Sequence, residues 1–168
     1  MFYRENDFRE TPLGEIPKDW TFEKMGNICV KITDGTHKTP NYLNQGVPFI
    51  STQNLTPFRK DFDFSSYHKY ISPKEHRELI KRCNPKKGDI LISKCGTIGR
   101  TKLVDVDYEF SIFVGVALLK IKNELVTGEY LEQLLNYEPL RTRIEILSPG
   151  STRKTLTIGA IDKLHIPL

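Results

Sequence analysis

The segment GDILISKCGTIGR, residues 88–100, constrains the fold of this chain more than any other stretch. Ile90, Leu91 and Ile92 form an unbroken apolar run rich in β-branched residues, which reads as a buried strand. The strand is delivered directly into a turn spaced by Gly96 and Gly99 and flanked by Lys94 and Arg100. Glycine supplies the positive φ of a tight turn, and it also lets backbone N–H groups come close to an anion. Two readings therefore fit: an ordinary hairpin turn, and a cradle for a phosphate group. GTIG alone does not separate them.

The other strand signals are short and numerous. Trp20 and Phe22 alternate with polar neighbours, and residues 28–33 and 47–51 are short apolar runs. Residues 102–106 and the longer 111–121 follow, the latter interrupted by Gly115 as a candidate bulge. Ser72, Pro73 and Glu75 supply the cap, opening proline and S-x-x-E box of a helix that places Leu79, Ile80 and Cys83 on one face and ends near Asn84. A second helix starts after Thr127-Gly128, carries Leu131, Leu134 and Leu135, and breaks at Pro139, after which Leu140, Ile144 and Leu147 continue the stripe. Strands, helix, strands and helices without a regular βαβ alternation predict an α+β domain with a curved, mostly antiparallel sheet and a few packed helices. The length of 168 residues, without repeats or low-complexity linkers, predicts one domain. Trp20, Phe49, Ile50, Ile90, Ile92, Leu131 and Leu134 are expected in its core.

An enzyme should show a nucleophile with its base, a metal cluster or a GxxxxGK phosphate loop, and none stands out. His37, His68, His76 and His165 are scattered. Asp61 and Asp63 share a face if they lie on a strand, but no third ligand accompanies them. Cys29, Cys83 and Cys95 are an odd set whose spacing fits neither a disulfide framework nor a zinc site, as expected of buried thiols in a reducing cytoplasm. No apolar run approaches the ~20 residues of a membrane span, and the charged start MFYRENDFRE does not serve as a signal peptide. No catalytic residue, metal or cofactor is expected.

The net charge of +4 is less informative than its distribution. Residues 53–102 hold twelve Lys and Arg against five Asp and Glu, whereas residues 103–137 hold two against six. The basic stretch also contains Phe58, Phe62, Phe64, Tyr67 and Tyr70, and cations interleaved with aromatics suit a polyanion that carries flat bases. A solvated lysine-rich face over buried rings is the alternative, and composition leaves both open.

Five segments taken in series are more specific: LGEIPKDW (13–20), TDGTHKTP (33–40), GVPFISTQNL (46–55), KKGDILISKCGTIGR (86–100) and GSTRKTLTIGAIDKLHIPL (150–168). Their order and spacing resemble the recognition domain of type I restriction-modification specificity subunits, from about Thr11 to Leu168. The resemblance implies a globule that reads one half of a split double-stranded DNA target and is joined to a second such domain by two long helices. It also implies that methyl transfer and cleavage belong to partner subunits, the methyltransferase (modification) and restriction subunits, which use S-adenosylmethionine and ATP. The helices normally follow a proline-rich exit such as HIPL, and the sequence stops there. The expectation is therefore a single recognition domain over residues 1–168, ending before the long spacer helix and monomeric by itself.

Within that reading, Lys94, Thr97, Arg100 and Lys102 around the GTIG turn are candidate phosphate contacts, with Lys38, Arg153 and Lys154 in two polar loops. Ser151 and Thr152 offer hydroxyls to a phosphate or cap the following turn. Gln53, Asn54, Arg59 and Arg77 carry the donors and acceptors that base reading requires. His37, beside the turn residue Gly35, either faces the DNA or closes that turn. Two other classes fit the residues: a single-stranded nucleic-acid or RNA module stacking bases on the aromatics of 58–70, and a structural adaptor using the acidic segment 103–137.

Overall fold

The computed structural model describes residues 7–65, 67–148, 150 and 154–168. Its strands are β1 (Phe8–Thr11), β2 (Gly14–Pro17), β3 (Phe22–Lys24), β4 (Cys29–Asp34), β5 (Val47–Ile50), β6 (Tyr70–Ile71), β7 (Ile90–Ser93), β8 (Thr101–Leu103), β9 (Ser111–Ile112), β10 (Val116–Ile121) and β11 (His165–Pro167). The helices are α1 (Met25–Ile28), α2 (Pro73–Leu79), α3 (Gly128–Asn136), α4 (Glu138–Leu147) and α5 (Ile158–Asp162).

The central sheet has the order β4-β10-β7-β8 and is antiparallel throughout. Side chains alternate across a strand, so β7 and β10 each feed two cores. Ile90, Ile92, Ala117 and Leu119 face a layer built from α1, α3, α4 and α5, where Met25, Leu131, Leu135, Leu140, Ile144 and Ile161 are buried. Leu91, Val116 and Leu118 face Ile50, Leu55, Phe62, Phe110 and Ile112 on the other side. Burial on both faces is why the β7 run is uninterrupted apolar and not alternating. The second face is closed by a smaller sheet in which β5 pairs antiparallel with β6 and parallel with β9. This is the α+β, mostly antiparallel arrangement that the order of elements predicts.

Local sequence explains the helix starts. Ser72, Thr127 and Thr157 accept hydrogen bonds from the backbone N–H groups of Glu75 (3.1 Å), Tyr130 (3.3 Å) and Ala160 (3.1 Å), each cap stabilising its helix by about 1 kcal/mol. Pro139 opens α4 immediately after α3 ends. The edge strand β8 is covered by α3. Glu132, buried, accepts from Leu103 N at 3.1 Å, and Asn136 both accepts from Thr101 N (3.1 Å) and donates to Thr101 O (2.8 Å).

Several sequence expectations need correction. Residues 111–121 form two strands in different sheets, because the chain crosses between them at 113–115. Phe113 N donates to Ile50 O (2.9 Å) and Val114 N to Thr36 O (3.0 Å) before β10 begins. The register irregularity lies between Lys120 and Ile121, not at Gly115, where an added Cβ would sit 2.9 Å from Cys95 Sγ. Trp20 precedes β3 and is half-buried, edge-on to Tyr130 at 6.2 Å, and Leu134 is half-buried too. Leu147 is 49% exposed while Leu140 and Ile144 are buried.

Candidate nucleic-acid interface

β4 and β7 both pair with β10 and run opposite to it, so their carboxyl ends emerge at the same end of the sheet, on either side of the start of β10. Asp34 lies opposite Ala117, and Ser93 lies opposite Val116. β5 ends at the same place, since Ile50 is paired with Ile112 and bonded to Phe113. The polar segments 35–40, 51–54 and 94–99 therefore leave from one end of the domain. A fourth joins them, because Leu156 N donates to Lys94 O at 2.8 Å.

Backbone chemistry holds these segments together. A Cβ on Gly35 would fall 2.0 Å from Ile112 O, so only glycine permits the exit from β4 to lie against β9. In the 94–99 turn, Gly96 and Gly99 adopt φ of 70° and 79°. Ser93 fastens that turn from below: its Oγ donates to Thr97 O (2.5 Å) and accepts from Arg100 N (2.9 Å). His37, Lys38, Gln53, Thr97 and Lys154 are exposed around this end, and Arg100 is half-exposed with Nη1 donating to Leu55 O at 3.3 Å.

Three of the candidate DNA-binding residues are not surface groups. Lys94 is buried, and its Nζ lies 2.5 Å from Asp34 Oδ2. Lys102 is buried, with Nζ donating to Arg59 O, 3.3 Å from Asp105 and over the Phe62 ring. Asn54 has no exposed surface; it completes a capping box with Ser51 and donates to Asp63 O (2.7 Å) and Tyr67 O (2.9 Å). Polar side chains so placed must be satisfied within the protein, and these three are. Arg59 is exposed, but its segment is tied elsewhere: Phe58 N donates to Glu132 and Asp61 N to Asp105, over β8 and α3. Arg77 is exposed on α2. Ser151, Thr152 and Arg153 lie outside the described residues.

Asp34, which is not among the candidate contacts, organises the site. Its Oδ1 accepts from Arg82 Nη2 (2.5 Å) and lies 3.4 Å from His37 Nε2, while Oδ2 takes Lys94. Burial alone would push this carboxyl up, but Lys94, His37 and Arg82 outweigh it and hold it below its ordinary range. The signal available in sequence is an acidic residue at the end of a strand, facing a basic stretch. Spacing does not identify its partners.

Part of the segmental charge imbalance is internal. Lys86 pairs with Glu109 (3.4 Å), Lys87 with Asp107 (2.8 Å) and Lys102 with Asp105, so three cations of the basic stretch are matched from the acidic one. The aromatics divide similarly. Phe62 is buried against Phe110 at 4.9 Å, Phe64 stacks on His68, and Lys69 lies over Tyr42 and Tyr67, leaving Phe58 at 63% exposure. That arrangement does not build a stacking platform. Asp61 and Asp63 cap their own loop through Phe62 N and Ser65 N. Among the described residues no group of three His, Cys, Asp or Glu is placed to hold a metal, and no helix is long and apolar enough to cross a membrane.

The thiols provide a probe of this end. Cys29 and Cys83 are buried, and burial pushes both thiols up to about 12, whereas Cys95 is half-buried in the 94–99 turn. Only the thiolate is nucleophilic. Alkylation of the native protein is expected to modify Cys95 first, and mass spectrometry after denaturation should reveal the other two unmodified. Rapid modification of Cys29 or Cys83 would contradict the packing.

The sequence model of the family described as type I restriction modification DNA specificity domain matches residues 17–168. The type I restriction enzyme MjaIX specificity subunit of Methanocaldococcus jannaschii is 27% identical over 99% of this chain, which spans 38% of that protein's length. Among solved structures, the HsdS subunit from Thermoanaerobacter tengcongensis superposes with a TM-score of 0.63 at 21% identity, over 97% of this chain and 36% of that one. A chain described for complex assembly and conformational transition of the type I R-M system gives 0.65 at 19% identity, over 98% of this chain and 37% of the other. At those identities the structural likeness is one of fold. The sequence match covers most of the chain, including all four segments that meet at the loop end, and the chain belongs to the type I restriction-modification DNA specificity domain family.

Proposed function

We propose that the chain binds double-stranded DNA sequence-specifically, reading one half of a bipartite target with the loops at the carboxyl ends of β4, β5 and β7. The observation that carries this reading is the convergence there of segments 35–40, 51–54, 94–99 and 154–156, far apart in sequence and each bearing exposed polar or cationic groups. Lys38, Thr97, Arg100 and Lys154 are assigned to phosphates, which set register, and Gln53 to a base edge. Arg77 and Arg59 are retained as outlying contacts, and Ser151, Thr152 and Arg153 as contacts from the same strip of chain as Lys154. In this proposal the chain supplies recognition and no turnover. Methyltransferase and restriction subunits of the same system, acting in the cytoplasm, are its partners.

A half-site reader touching ~3 to 5 phosphates should bind duplex DNA with a log–log salt slope of about −3 to −4.5. Replacing Lys38 and Lys154 together by Ala should flatten that slope by about 0.9 for each phosphate no longer neutralised, equally for cognate and scrambled duplexes. Gln53→Ala should instead cost about 1–3 kcal/mol at one base pair of the preferred sequence only. Binding that ignores salt, or a preference for single-stranded RNA over duplex in competition, would sink the proposal.

A further inference from the structure

We infer that Arg82 is a DNA-phosphate ligand, held at the reading end by Asp34; this rests on the reading of that end as the DNA face. Asp34 carries one negative charge and faces Lys94, Arg82 and His37. The Asp34 and Lys94 side chains, 6% and 8% exposed, neutralise each other out of solvent. Arg82 shares Asp34 with Lys94 and its side chain is 56% exposed, so two cations meet one carboxylate and the excess positive charge faces water on Arg82.

Its neighbours in the basic stretch differ. Lys81, Lys86 and Lys87 are matched by Glu78, Glu109 and Asp107. One guanidinium N–H of Arg82 is used on Asp34, and among the described residues its remaining donors have no protein partner. An arginine has five such donors in a rigid fork, and two of them match the oxygens of a phosphate. The residue is also anchored from behind: Lys31 Nζ donates to Arg82 O at 2.6 Å, and Arg82 N donates to Leu79 O at 3.2 Å. Asp34 stands at the mouth of the 35–40 loop and Lys94 opens the 94–99 turn, so the guanidinium sits one carboxylate away from both. A side chain fixed in this way loses little freedom when a phosphate arrives. Asp34 and Lys94 are then positioning residues, and Arg82 is the group that touches the ligand.

The test compares the chain with Arg82→Gln, Arg82→Lys and Lys24→Gln on a mixed-sequence DNA duplex across a salt series, with thermal unfolding of each protein. Lys24 is an exposed cation in β3, which leads through α1 into the far end of β4 from Asp34. Arg82→Gln should flatten the log–log slope by about 0.9, the share of one neutralised phosphate, and Arg82→Lys should restore it. Lys24→Gln should leave the slope unchanged. An unchanged slope in Arg82→Gln, with normal salt-dependent binding by the parent chain, makes Arg82 a strut for Asp34 and overturns the inference alone. An equal flattening in Lys24→Gln also overturns it, since the effect would be one of net charge. If the parent chain binds no duplex even at low salt, the DNA reading fails together with it.

Discussion

Lys94→Ala should destabilise the fold by about 3 kcal/mol, the low end of the ~3 to 5 expected when one partner of a buried ion pair is removed. Lys94 and Asp34 are both buried and 2.5 Å apart, and deletion of the lysine leaves a carboxylate in a poorly solvated place. The cost is limited because Arg82 and His37 still face that carboxylate. The turn also keeps its backbone bonds from Lys94 N to Gly115 O and from Leu156 N to Lys94 O. The pH dependence has a defined sign. Asp34 has a folded value held below its unfolded one, so its contribution is fully present above about pH 3.9, the ordinary Asp value, and is lost as pH falls through the lower folded value. Without Lys94 the folded value rises towards the unfolded one, so the variant should lose less stability to acid than the parent, and the gap between the two should narrow as pH falls. Denaturant melts at neutral and acidic pH measure both effects. A variant with parental stability that is defective only in DNA binding would return Lys94 to the DNA surface.

The elements that follow from local rules were legible in the sequence. Ser72 and Pro73 open α2, Thr127 caps α3, Pro139 separates α3 from α4, and the apolar run of β7 is buried. Each depends on a few neighbouring residues. The candidate site was legible as a set of segments, but less so residue by residue, because exposure is a property of the assembled fold. Lys94 and Lys102 have the same chemistry as Lys38, yet the first two are buried and meet Asp34 and Asp105. A charge count by segment cannot see that Lys87 and Asp107, twenty residues apart, cancel each other. Gly115 shows the same limit at the backbone level. In sequence it interrupts a strand; in the fold it is where the chain leaves one sheet for another and passes close to Cys95.

Asn54→Ala should cost about 2–4 kcal/mol, although the residue type and its place in a polar motif suit base reading equally well. Its Oδ1 accepts from Ser51 N (2.8 Å) and Ser51 Oγ (3.2 Å), and its Nδ2 donates to two carbonyls, Asp63 at 2.7 Å and Tyr67 at 2.9 Å. One side chain therefore ties the end of β5 to a loop that returns from over β8. Alanine leaves one N–H and two carbonyls without partners, each worth about 1–3 kcal/mol if it stays dry, and water entering beside the exposed Gln53 keeps the sum below simple addition. Asn54→Asp is the sharper variant. It preserves Oδ1 but presents a second oxygen to two carbonyl oxygens, so it should be at least as destabilising as alanine despite its nearly identical shape. Asn54→Ala should accelerate hydrogen exchange at Ser51 N, which loses its acceptor, and both variants should loosen the packing of Phe62, which lies in the same loop and in the core. A base-contacting asparagine predicts the opposite pattern, with unchanged melts and unchanged exchange and an abolished preference at one base pair. Melts alone decide between the two roles before any DNA is added.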